Sequence, residues 1–370
     1  MRQSLRIFQI AFTYVGTVVG AGFATGQEIL QFFTKYGWIA SFTIGVSSLI
    51  FLFLGTKLML IAQQIQARSY EDVNHYLFGS RIGGWVSIFA MIVIVSVNGV
   101  MLAGAGSVFV QQLNFHYQTG LLLTIVSAYF IINRGMSAIL SLNSLVVPTM
   151  LVFTVMIVTQ TLHMPNAGRV FTITTDTSWY AAWTAPLLYS AFNLAMAQAV
   201  LVPLGASMPN KRIIRIGGAI GGVLIGILLL AGHLALSVHM PGIQQFDIPM
   251  GEIAHSLGMT IQLIYVLLIF SEIFTTFIAD LYGITLQLHQ RTGVPKKLIT
   301  AVIMMICFTI SQFGFRNLIS FLYPLFGMFS LIWLYLLLRA AYPPKPWPEP
   351  PSAPSPAAGT LKLKPLPRKK

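Results

Sequence analysis

The sequence predicts an all-α, polytopic membrane protein with about ten transmembrane helices arranged as two inverted five-helix repeats. Three observations carry this prediction. Of the 370 residues, 56% are hydrophobic and 8% charged, with a mean hydropathy of +0.77, whereas a soluble domain carries about 25% charged residues. The apolar residues fall in runs of about 20, the length that crosses a hydrocarbon core of about 30 Å. The basic residues collect in alternate gaps between these runs, as the positive-inside rule requires.

The first run, 7–33, extends well past signal-peptide length without a clear cleavage site and is expected to stay in the mature protein. Further spans are predicted near 38–62, 84–112, 119–133, 143–163, 179–207, 213–239, 260–288, 297–314 and 317–339. With a cytoplasmic N-terminus, the inner segments hold Arg2, Arg6, Lys57, Arg68, Arg81, Arg134, Lys211, Arg212, Arg215, Arg291, Lys296, Lys297 and Arg339, leaving Lys35, Arg169 and Arg316 outside. Both termini are therefore expected in the cytoplasm. The net charge of +13 reflects this topology and gives no ground for a nucleic-acid partner. Residues 343–370 are proline-rich and basic, read as a disordered cytoplasmic tail; residues 1–342 form the transmembrane domain. Cys307 is the single cysteine and lies in an apolar run, so neither a disulfide nor a cysteine metal site is expected.

Spans 1 and 6, 3 and 8, and 5 and 10 are offset by roughly 170 to 177 residues, the spacing of two stacked five-helix halves, about 7–163 and 179–339. An odd number of spans per half inverts the second half. Short amphipathic pieces, SYEDVNHYLFGS before span 3 and QQFDIPMGEIAHSLG before span 8, occupy corresponding places and read as re-entrant or surface helices.

Polar chemistry concentrates in a few spans. From Gly16 to Gly26, in GTVVGAGFATG, four glycines fall within eleven residues, followed directly by Gln27 and Glu28. Each glycine weakens a helix by about 0.5–1 kcal/mol relative to alanine. The helix is expected to unwind near Gly20, Ala21 and Gly22, where freed backbone groups would line a cavity; the alternative is close helix packing through the pairs Gly16/Gly20 and Gly22/Gly26. Span 8 carries a stripe of Glu272, Thr275, Thr276, Ala279, Asp280 and Gly283 on one face. A mid-membrane charge costs about 2.5–3.5 kcal/mol, so Glu272 must face protein, with its hydroxyl neighbours suiting a hard cation or its carboxyl a proton. Span 6 places Tyr189, Ser190 and Asn193 within about a turn, either as ligands for a small molecule or as hydrogen bonds between helices. Asn98 in span 3 sits in a seam with Gly99, Ala103 and Gly106, and reads as packing or as part of the same cavity. The histidines, of which only His233 falls deep within a span, make no HExxH, and neither a G-x-S-x-G nor a Walker A sequence occurs; an enzyme is not expected.

GTVVGAGFATGQEI, FTTFIAD and the ten-span plan resemble the amino acid–polyamine–organocation transporters of LeuT-type fold and, more narrowly, the YkvI-type bacterial membrane proteins of that superfamily. The resemblance covers nearly the whole chain up to the tail. It implies a sodium site at Gly16, Val19, Thr275 and Thr276, with Glu272 strengthening it or substituting a proton for sodium. It also implies that substrate meets Gly20, Ala21 and Gly22 and a second break in span 6 near Ser190 to Asn193. Two features depart from the pattern: span 6 lacks the glycines that usually accompany its break, and Glu272 stands where many sodium-dependent relatives have a small residue. The expected function is secondary transport of an amino acid or related metabolite across the bacterial plasma membrane, with sodium or protons and no other cofactor. A ligand-sensing membrane subunit on the same fold, like those of germinant receptors, is the alternative.

The topology is tested by cysteine accessibility. Thr174→Cys should label from outside the cell and Ser352→Cys only after permeabilisation; the reverse pattern would overturn the assigned orientation.

Overall fold

The computed structural model describes residues 2–132, 136–164 and 167–341, which contain helices and no strand. The first span is not one helix but three: α1 (Arg2–Val18), α2 (Ala21–Thr25) and α3 (Gln27–Phe32). Gly20 caps α2 with an extended backbone, φ −102° and ψ −159°, and Gly26 separates α2 from α3 at φ +82°. Left-handed backbone of this kind is open to glycine at little cost. A Cβ on Gly26 would also lie 2.6 Å from Met250 Cγ, so the bend and its packing both exclude a side chain.

The second span is α4 (Ile39–Ile50) and α5 (Thr56–Gln64), joined without a break by a π-helical turn over Phe51–Gly55. A π turn loosens the regular i→i−4 ladder, and here the Tyr14 hydroxyl donates to the Phe51 carbonyl at 2.7 Å. Gly55 makes room for it, since a Cβ there would collide with the Tyr14 ring and hydroxyl. The third span is the inner part of α6 (Tyr70–Leu113). Its first turns are the expected amphipathic piece: Ser69 and Asp72 form a capping box, and Gly79, at φ 78°, kinks that piece away from the span. Next come α7 (Tyr117–Ile132), α8 (Met136–Leu162), α9 (Trp179–Ala206), α10 (Lys211–Val238), the short α11 (Pro249–His255), α12 (Met259–Thr292), α13 (Lys296–Ser311) and α14 (Phe315–Arg339). Among the described residues six segments are long and apolar enough to cross a membrane outright, from Ile39–Gln64 to Phe315–Arg339; α7, α8 and α13 and the broken first span bring the number to ten. α11 lies where the second amphipathic piece is expected. The proline-rich tail lies outside the described residues.

One expectation fails. α9 runs unbroken from Trp179 to Ala206, through Ser190 and Asn193, with Pro186 and Pro203 inside it. Between those prolines the chain reads LLYSAFNLAMAQAVLV, free of glycine and rich in alanine and leucine. These residues favour helix over the unwound state, so no residue from Leu187 to Val202 opens the helix where the resemblance implied.

α10 is the wedge of the bundle. Gly217 and Gly221 face Ile10 and Tyr14 of α1, while Gly218 and Gly222 face Thr56 and Leu52 of the second span. A Cβ on Gly222 would sit 2.5 Å from the Leu52 backbone, and small residues are what let helices approach this closely in a membrane. The ends of the bundle are distinct. At one end Trp38 N–H donates to the Ile173 carbonyl at 2.9 Å, and Lys35, Arg316 and residues 173–177 surround one opening. At the other, Lys57 Nζ donates to Leu338 O at 2.9 Å, Gln63 Nε2 to Met208 O at 2.6 Å, and Arg291 pairs with Glu71. This division matches the division of cations read from the sequence.

Gly222→Ala should destabilise the purified protein by about 1–3 kcal/mol, because the neighbour that must yield is backbone. Gly45→Ala, where nothing lies within 4 Å, should change stability by less than about 0.5 kcal/mol. Equal thermal midpoints for both variants in detergent would refute the wedge.

Candidate transport site at the broken helix

At the break in the first span the backbone loses its regular partners. Val19 N–H still reaches Val15 O at 2.7 Å, and Gly20 O accepts from Phe23 and Ala24. Gly20 N–H has no backbone acceptor, and Ala21 and Gly22 open the first turn of α2, where N–H groups have no partner within their own helix. Unwound backbone is tolerated at membrane depth only where protein or a wet cavity lines it. Gly20 faces open space, with nothing within 4 Å of the position of a Cβ.

Gly22 is the reverse case. A Cβ there would overlap the Glu28 carboxyl group, which is folded back against the break and is 6% exposed. Glu28 faces the Tyr189 hydroxyl of α9, and Tyr323 of α14 stands close enough to feel its charge. Apart from each other, Glu28 Oε2 and Tyr189 OH have no hydrogen-bond partner. Phe32, Phe33 and Phe51 enclose the Tyr189 ring, with centroids 5.3, 5.0 and 6.0 Å away, so the hydroxyl is fixed in direction. Ser190, adjacent and fully buried, also has an unpartnered Oγ. A buried polar atom left without a partner costs about 1–3 kcal/mol, so these groups offer donors and acceptors that water or a ligand can satisfy.

The other residues singled out by sequence sit on α9, α6, α12 and the first span. Asn193 Nδ2 donates to Tyr189 O at 3.0 Å, along its own helix. Asn98 on α6 is fully buried and both amide atoms lack partners. On α12, which packs along α6, Glu272 is 5% exposed with Oε1 unpartnered, Thr275 is buried and donates to the Glu272 carbonyl at 3.2 Å, and Thr276 is half-buried. α12 meets the broken span through α2, where the Tyr265 hydroxyl donates to Ala24 O at 2.9 Å. Gly16 lies within α1 and Val19 at the break, and α1 packs chiefly on α10 and α9. The carboxyl and hydroxyl donors of the α12 stripe suit a hard cation such as sodium, and the orphaned Glu272 oxygen is an acceptor open to one. No cluster of three His, Cys, Asp or Glu side chains occurs among the described residues.

Glu28 is the residue that sequence reasoning did not select. It lies six residues beyond Gly22, which on a straight helix is about 9 Å along the axis. The turn at Gly26 closes that separation. The sequence signal was present in the glycine at a bend immediately before an acid, but only the bend tells where the acid points.

A helix broken mid-bundle with an acid folded against it, inside ten apolar segments, defines a membrane protein of the LeuT-type fold. The solved structures agree. The inward-facing conformation of Mhp1 matches with a TM-score of 0.66 at 13% identity, over 89% of this chain and 75% of that one. A variant of the manganese transporter of Eremococcus coleocola matches with a TM-score of 0.63 at 12% identity, over 89% and 78%. The membrane protein YkvI of Bacillus subtilis (strain 168) is 41% identical over 333 residues, 89% of this chain and 94% of that protein, and YyaD of the same organism is 26% identical over 327 residues, covering 88% and 94%. The chain belongs to the YkvI family. No family model matches it.

Gly20→Ala should leave fold and Glu28 undisturbed, whereas Gly22→Ala must displace the Glu28 carboxyl. In a thermal-shift screen of amino acids and related metabolites, a bound ligand raises apparent stability by mass action. The responses seen with the parent should survive in Gly20→Ala and disappear in Gly22→Ala and Gly20→Leu. Full responses in all three would remove the break from the ligand site.

Proposed function

We propose that the protein is a secondary active transporter of a small metabolite carrying both an amino group and a carboxylate, an amino acid or close relative. The transport is driven by sodium or protons across the bacterial plasma membrane, and both termini are cytoplasmic. One observation supports this reading above the rest: the buried Glu28 carboxyl, faced by the Tyr189 hydroxyl, stands beside a helix break where Gly20 N–H has no backbone acceptor and the Ala21 and Gly22 N–H groups open the first turn of α2. An acid matches an ammonium group, and free N–H groups match a carboxylate. Tyr189 and Ser190 supply hydroxyls that can donate or accept at the same place, and Asn98 adds an amide. The fold shared with Mhp1 and the manganese transporter is that of proteins that carry solutes.

Coupling, on this proposal, falls to Glu272, Thr275 and Thr276, with Gly16 and Val19 offering carbonyls from the broken span. If sodium occupies that face, removing both hydroxyls weakens the sodium dependence, and Glu272→Gln weakens it further by deleting the charge. If a proton is the driver, Glu272→Gln removes the pH dependence while exchange of bound substrate continues.

The unbroken α9 favours a second reading, a ligand-sensing subunit that binds the same solute without moving it. The purified chain in proteoliposomes separates the two. Uptake of the amino acids that shift its melting should occur with the chain alone, rise with an imposed sodium or proton gradient, and fall at least tenfold in Glu28→Gln, since a hydrogen bond to a charged group is worth about 1.5–3 kcal/mol. Ligand binding without uptake would establish the sensor. Uptake in Glu28→Gln equal to the parent would remove Glu28 from the site.

A further inference from the structure

A second concavity lies toward the end of the bundle that carries Lys35 and Arg316. It is a cavity of about 570 Å³ between the end of the first span, the 173–177 segment, the 240–244 turn and the start of α14. Its charged lining is Lys35, Arg316 and Asp176, and its floor includes Gln27, the neighbour of Glu28. The geometry points to a carboxylate-binding antechamber formed by Lys35 and Arg316, distinct from the site at the broken helix. This deepens the proposed function, because it assigns the solute an anionic group that is recognised before the break is reached.

Two cations against one acid leave the lining positive, and neither cation is neutralised. Among the described residues the one ion pair within 4.0 Å is Arg291 with Glu71, at the opposite end. Lys35 Nζ lies 5.1 Å from the centre of the Tyr36 ring, which orients the ammonium without cancelling its charge. Burial lowers the Lys35 pKa from its ordinary value to about 8. An anion in the cavity would relieve that desolvation.

The position of Lys35 is also fixed. The turn that carries it is held by Trp38 N–H on the Ile173 carbonyl and by Thr177 Oγ1 on the Lys35 carbonyl, at 2.9 and 3.4 Å. Thr34 Oγ1 sits 3.1 Å from His233 Nδ1 of α10. At the floor, Gln27 is 2% exposed and its Oε1 lacks a partner, an acceptor for the donor end of the same solute. Carboxylate toward the cations and ammonium toward Gln27 is the orientation that delivers the ammonium first to Glu28.

The antechamber can be tested without transport. The purified full-length chain in an uncharged detergent, free of anionic lipid, is treated near pH 8 with an amine-acylating reagent, and the modification of Lys35 is read by peptide mass spectrometry against that of the exposed Lys296. Acetate and trimethylglycine, neither of which has a reactive N–H, are compared with tetramethylammonium chloride at matched ionic strength. Acetate and trimethylglycine should slow Lys35 labelling about threefold at a concentration near twice their Kd, with Lys296 unchanged. Arg316→Gln should abolish the protection, and Asp176→Asn should strengthen it. Protection that appears only after anionic lipid is restored would assign the cations to lipid phosphate and overturn the proposal. Equal labelling of Lys35 in all salts, or protection that survives Arg316→Gln, would also overturn it. Carboxylate protection without uptake would sink the transport reading and leave the antechamber standing, and uptake without protection would do the reverse.

Discussion

A carboxyl group inside a bilayer has to be matched, and the placement of Glu28 against Gly22 governs the arrangement around it. Charged groups at mid-membrane cost about 2.5–3.5 kcal/mol even on insertion scales that allow relaxation. Glu28 is kept there by three local conditions. Gly22 offers no side chain, Gly26 bends the chain at φ +82°, and Tyr189 turns its hydroxyl toward the carboxyl from α9. Each condition depends on the others. A side chain at Gly22 would evict the carboxyl, and a straight helix at Gly26 would carry Glu28 to another face.

The surrounding helices hold this bend rather than merely tolerate it. Met250 of α11 packs on Gly26, and the Tyr265 hydroxyl of α12 takes the Ala24 carbonyl. Below the break, α1 lies in the glycine groove of α10, whose other glycines admit the second span. Tyr14 then crosses from α1 to the Phe51 carbonyl of the π turn. Close backbone approach on both sides of α10 means that a shift of α1 is felt by the second span. The broken helix is therefore coupled mechanically to its neighbours, and Phe51, the residue that accepts from Tyr14, also packs against the Tyr189 ring.

Much of the fold was legible in the sequence because a bilayer imposes a length on each apolar run. The ten runs and their alternation needed no tertiary information, and the Gly16–Gly26 stretch announced its own break through local helix weakness. What could not be read was orientation across a bend. Glu28 lay in plain view, but straight-helix geometry put it far from Gly22. The α10 sequence GGAIGGVLIG likewise identifies a close-packed helix without naming its two partners, which are over 150 residues away in sequence. The expected break in α9 came from resemblance and not from its residues; the residues, without glycine between the prolines, were the better guide. In the α12 stripe, shared face was legible from spacing, whereas the Thr275 hydroxyl turning to the Glu272 carbonyl depended on a rotamer.

The distribution of charge along the molecule links these parts. Glu28, Glu272 and Asp280 lie within apolar helices, and among the described residues none has a basic partner within 4.0 Å. At one end Lys35 and Arg316 line a cavity with a positive excess. On the proposed function, whenever these acids are ionised the interior repels anions, so a purely anionic solute drawn to the cations would stop there. A purely cationic one would be repelled at the entrance. A solute bearing both charges meets each region with the matching group, and its net neutrality leaves the interior acids still uncompensated. On the proposed function, that residual negative charge is the physical reason for a coupled cation: sodium or a proton supplies the positive charge that a zwitterion does not bring, and the bound solute and cation together lower a desolvation cost that neither removes alone.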